Sequence, residues 1–233
     1  MGSIFLVKCD HTMDGKRKAS LLLILLMSSL FLGKSMALKV ICGDTAGCFL
    51  PLPYLFDRAA LMSGHIHFLS SELFKEFGMK YPQNSKSFYM QCHTFSIASP
   101  TVKTEALKLS YKEFINLLIH LLHSWNEPLK QLIKEAHRLA KAPQSIVTKV
   151  ENIRRRTLQL LEGLKIIGSQ VNLEITNNRK HAVWSGLPFL RSSDEKLRQT
   201  AFHNLVYCLL KDAHRIHTYL NVMKCRITSG DHC

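Results

Sequence analysis

Seven cysteines pose the first chemical question of this chain: Cys9, then Cys42, Cys48, Cys92, Cys208, Cys225 and Cys233. A thiol can pair, bind metal or act as a nucleophile, and the compartment decides among these. Lys8, Lys16, Arg17 and Lys18 precede an apolar run from Leu21 to Leu32, after which Ser35 and Ala37 stand where a signal peptidase prefers small residues. The run falls short of the ~20 apolar residues needed to span a bilayer. Residues 1–37 are therefore expected to be a signal peptide cleaved after Ala37, taking Cys9 with it and leaving residues 38–233 as the secreted chain. Six cysteines then remain in an oxidising compartment, and full pairing into three disulfides is expected, although six cysteines allow 15 connectivities. Spacing favours two small loops, Cys42 to Cys48 and Cys225 to Cys233, which leaves Cys92 for Cys208. That last loop would contribute about 4.7 kcal/mol in the chain-entropy model. No Gly-x-Ser-x-Gly elbow, metalloprotease helix or phosphate loop accompanies the His, Ser and Asp residues, so the chain is not expected to be an enzyme.

The elements that position these residues follow from apolar periodicity. Leu55, Ala59, Met62, Ile66, Leu69, Leu73 and Phe77 recur in steps of three and four and predict a first helix over 54–78. Phe114, Leu117, Leu118, Leu121, Trp125, Leu129, Leu132, Ile133 and Ala136 predict a second over 111–140, kinked by Pro128. Ile146 to Val171 predicts a third over 144–171, and Phe202 to Met223 a fourth over 194–225. The link between the second and third is short, whereas residues 79–110 and 173–193 are long connections. A short link makes antiparallel neighbours and a long one permits parallel neighbours, so the expected fold is all-α, an up-up-down-down four-helix bundle with negligible strand. No linker or repeat divides residues 38–233, which are expected to form one domain and one monomer.

Several strings resemble the prolactin and growth hormone family over nearly the whole of this domain. They are Leu55-Phe56-Asp57-Arg58-Ala59, Leu69-Ser70-Ser71-Glu72, Cys92-His93-Thr94, Ser124-Trp125-Asn126-Glu127-Pro128-Leu129, Leu160-Leu161-Glu162-Gly163, Val183-Trp184-Ser185-Gly186-Leu187-Pro188 and Lys224-Cys225-Arg226-Ile227. The N-terminal cysteine loop is similar to that of the prolactin branch. The resemblance implies a long-chain cytokine bundle, the same disulfide connectivity, and a hormone that brings together two copies of a single-pass, prolactin-type class I cytokine receptor to activate its associated kinases. It further implies a first receptor face comprising His67, Phe74, Lys103, Lys211, His214, Arg215 and Tyr219, and a second centred on Gly163 in the third helix. A glycine there costs about 1 kcal/mol relative to alanine and so calls for a reason, which in the family is a notch for a receptor aromatic.

The chain departs from the prolactin pattern at Gly64, His203, Tyr207 and Leu210, which leaves a diverged, non-lactogenic paralogue as the alternative. Related hormones can hold zinc at the receptor interface. His67 matches one ligand position and His217 occupies the position of an acidic ligand, a two-residue candidate site in a hormone otherwise expected to need no cofactor. Protonation of these histidines would weaken such a site and add charge facing a receptor, so binding is expected to fall on acidification.

Charge sets a second alternative. Residues 1–37 hold five Lys or Arg and two Asp, so the secreted chain carries 26 basic and 15 acidic residues, a formal charge of +11. Arg154-Arg155-Arg156 and Asn178-Arg179-Lys180-His181 concentrate part of it. Secretion argues against nucleic acid, which leaves two readings of these runs: a solvated helix face, the commoner case, or retention on heparan sulfate or another extracellular polyanion. No membrane insertion is expected. A generic secreted basic helical protein would have no need of Gly163 or of the strings around Cys92 and Cys208.

Overall fold

Local signals in the chain fix where the helices start. A computed structural model describes residues 41–43, 47–82, 91–139, 143–171, 184–230 and 233, with side chains described from residue 50 onward. Helix α1 spans Leu52–Lys80, opening three residues before its apolar stripe, with Pro51 at the N-cap and Pro53 in its first turn, where a missing N–H costs nothing. In the first connection a 3-10 turn, His93–Ser96, is followed by the short helix α2, Lys103–Lys108. Helix α3, Tyr111–Ser124, opens on a capping box in which Ser110 Oγ accepts from Glu113 N at 3.3 Å and Ser110 N donates to Glu113 Oε2 at 2.7 Å. After α4, Asn126–Ala136, and α5, Gln144–Gln170, the second connection contains a single turn, α6, Leu187–Leu190. Helix α7, Glu195–Ser229, begins with Asp194 Oδ1 accepting from Lys196 N and Leu197 N, and ends at Gly230, whose φ of 61° suits a residue without a Cβ.

The helix expected over 111–140 is two helices, α3 and α4, broken at Trp125. Pro128 has no N–H to give to the Ser124 carbonyl, and its ring crowds that oxygen. The freed Ser124 oxygen instead accepts from His93 Nε2 at 3.2 Å, so the break becomes an anchor for the first connection.

Contacts between helices give their directions. Asp57 pairs with Lys224, Ser63 with His217, and Phe77 stacks on Phe202 at 4.6 Å, so α1 and α7 are antiparallel. Glu76 is bonded by Ser145 and Lys149 while His65 meets Arg156, so α1 and α5 are antiparallel as well. Helices α5 and α7 therefore share one direction, and α3–α4, antiparallel to α7 through Phe114–Tyr219 and Trp125–Asp212, shares that of α1. This is the expected up-up-down-down bundle. Its core holds Trp125, Phe56, Phe77, Phe114 and Phe202, all buried.

The little strand described is a short hairpin with three residues in each arm: β1, Ile41–Gly43, pairs antiparallel with β2, Gly47–Phe49, with Cys42 opposite Cys48. The Cys42–Cys48 bond itself lies outside the described side chains, as do the signal peptide over residues 1–37 and the basic run 178–181. Cys92–Cys208 and Cys225–Cys233 are formed.

Candidate functional site

The strings around Cys92, Trp125 and Cys208 converge on one buried carboxylate. Asp212, 4 % exposed, accepts through Oδ2 from Thr94 Oγ1 at 2.6 Å and Trp125 Nε1 at 2.7 Å, and through Oδ1 from Arg215 at 2.7 Å. A buried carboxylate requires such partners. His93, packed edge-on to Trp125 at 4.8 Å, is held below the ordinary histidine pKa by burial, which outweighs the nearby Asp212 charge and the Ser124 carbonyl. These residues pin the first connection to α7 and thereby set the surface above it.

That surface runs along α1 and α7. His67 lies 5.1 Å from His214 and 5.9 Å from His217, ring centre to ring centre. Burial and the charges of the two neighbouring rings lower the pKa of His67. His217 is lowered first by burial, against a backbone hydrogen bond to Ala60, and further by His214. The His217 ring rests over Gly64, where a Cβ would come within 3.2 Å of it. About two turns further along α1, Phe74 meets His203 at 5.1 Å and Tyr207 at 5.9 Å, and Lys211 lies over the Tyr207 ring at 5.6 Å. The departures His203 and Tyr207 thus pack against Phe74, a residue of the expected face.

Not every residue expected on this face projects from it. Lys211 and His214 are exposed, and His67 and Phe74 are half-buried. Arg215 is held internally by Asp212 and by Ser99 Oγ at 2.7 Å. Tyr219, only 4 % exposed, lies beneath the face, its hydroxyl donating to the Pro100 carbonyl at 2.6 Å. Both residues therefore hold the first connection in place. Lys103, at the start of α2, donates to the Cys233 carbonyl. The zinc expectation fits poorly: His217 Nδ1 faces Ser63 Oγ at 3.1 Å, its Nε2 faces Asn221 Nδ2 at 3.1 Å, and among the described residues no group of three or more His, Cys, Asp or Glu has metal-binding geometry.

Gly163 stands apart from this face, in the middle of α5. A Cβ built there meets nothing within 4 Å, so close helix packing is not what the glycine serves. Ile166, one turn on, is 55 % exposed, and Leu61 and Phe68 on α1 are exposed as well. His65, between those two, meets Arg156 of α5, which turns this side of α1 toward α5. The apolar periods of α1 and α5 account for their inner faces, and exposed residues such as Phe68 and Ile166 fall outside those stripes. Sequence reasoning also missed the Asp212 assembly, because its members are far apart in the chain.

Among the described residues no helix is long and apolar enough to cross a membrane. The model of the somatotropin hormone family matches residues 25–233. With the bundle, its two described disulfides and that match, the chain belongs to the somatotropin hormone family.

Proposed function

We propose that the protein is a secreted hormone that engages two copies of a prolactin-type cytokine receptor, the first through α1, α7 and the first connection, the second through α1 and α5, and so activates receptor-associated kinases. The observation that carries this reading is Gly163. A mid-helix glycine costs about 1 kcal/mol relative to alanine, and here no neighbour occupies the space a side chain would fill. An open notch beside the exposed Ile166 suits an incoming aromatic group. Gly163→Arg fills that notch without touching α7. The variant is expected to bind one receptor ectodomain as wild type does and to lose signalling in receptor-bearing cells; full signalling would refute the second face.

A second reading is supported by Arg154, Arg155 and Arg156, none of which has a carboxylate partner among the described ion pairs. Their free charge suits retention on heparan sulfate. Elution from heparin no later than a helical protein of equal net charge would count against it.

A further inference from the structure

Phe95 is 73 % exposed, the most exposed of the large apolar side chains described, yet it sits in one of the most firmly held parts of the first connection. Cys92, three residues before it, is bonded to Cys208. Thr94, immediately before it, is 1 % exposed and donates to Asp212, and Ile97, two residues after it, is 7 % exposed. With its neighbours filling the inward positions of the 3-10 turn, Phe95 projects outward by construction.

The ring overlooks a mostly apolar depression of about 410 Å³ lined by Cys92, Phe95, Tyr207, Lys211 and Arg215, among others. Lys211 is exposed, its ammonium lies over Tyr207, and no described carboxylate pairs with it. The acid bordering the depression among the described residues, Asp212, has both oxygens engaged by Thr94, Trp125 and Arg215. Asp212 balances Arg215, which leaves Lys211 as the uncompensated positive charge on the described rim.

We infer that Phe95, Tyr207 and Lys211 form an affinity anchor on the first receptor face, taking an apolar side chain of the receptor into the depression and a receptor carboxylate onto Lys211. The inference rests on the receptor reading above and adds to it a residue which that reading does not contain. Aromatic groups fixed before binding lose little freedom when they dock, and a desolvated aromatic beside a complementary charge is where interface energy concentrates.

The test measures binding of the soluble prolactin receptor ectodomain of the same species to the sparsely immobilised, disulfide-intact protein. Phe95→Ala and Lys211→Glu are each expected to weaken binding at least about tenfold, Phe95→Ala chiefly through faster dissociation, and Phe95→Tyr to stay near wild type. Helicity and thermal midpoint should not change for Phe95→Ala, since the ring has little to lose by truncation in the free protein. Wild-type affinity in a folded Phe95→Ala variant would overturn the anchor while leaving the receptor reading intact. Absence of wild-type binding would overturn both. A dimer in sedimentation that Phe95→Ala dissolves, with receptor affinity unchanged, would assign the depression to a second copy of the chain and likewise overturn the inference.

Discussion

Asp212 shows how much one side chain can organise. Its two oxygens join the first connection through Thr94, the α3–α4 break through Trp125 and the α7 surface through Arg215. Asp212→Ala would leave the Trp125 N–H and the Thr94 hydroxyl without an acceptor, and Arg215 without its counter-ion. The expected loss is about 3 kcal/mol or more, read as a lowered denaturant midpoint, and a midpoint equal to wild type would remove the assembly from the account. The histidines act in the opposite sense. His67, His93, His203 and His217 all have pKa values below the ordinary histidine value, burial being the first cause in each. In the unfolded chain they take up protons near pH 6.5, where the folded protein resists, so their contribution to stability is fully present above that pH and lost as it falls toward the folded values. The denaturant midpoint should therefore drop between pH 7.5 and pH 5, and receptor affinity with it, as like charges accumulate on the neighbouring rings of His67 and His217; a midpoint independent of pH would contradict this.

The elements differ in how plainly the chain announces them. Helices α1, α5 and α7 were legible because Leu73, Leu164 and Leu209 belong to stripes repeated over many turns, and their observed ends lie within a few residues of those the stripes predict. Pro128 announced the interruption between α3 and α4, although a full break at Trp125 also required an acceptor-hungry neighbour, His93, to take the freed carbonyl. The short elements were not legible: α2 has six residues and α6 four, too few to show a period, and the hairpin around Cys42 and Cys48 has only three residues in each strand. Legibility at the site divides in the same way. Gly163 was conspicuous because a glycine in a helix has a local cost, whereas the exposure of Phe95 follows only from the inward placement of Thr94 and Ile97, and the burial of Tyr219 only from the path of Pro100. The second connection has its own clamp, Arg191 bonding Glu135 at 3.0 Å, with Arg138 on the other oxygen at 2.8 Å, so both long connections are tied to the bundle by charge-assisted bonds.

At the scale of the whole molecule the bundle presents two separate faces. One, on α1 and α7, carries histidines, aromatic rings and Lys211; the other, on α1 and α5, carries the open Gly163 notch and exposed apolar groups. A ligand with two unequal faces for one receptor has a characteristic dose response, because excess ligand occupies receptors singly and separates them. The most direct test is to titrate the secreted, disulfide-intact protein over a wide concentration range on cells bearing the prolactin receptor of its own species, reading kinase activation. Two-face engagement of the receptor predicts a bell-shaped curve that rises and then self-inhibits. A response that climbs to a plateau and stays there, or no response from folded protein, would contradict two-face engagement of that receptor.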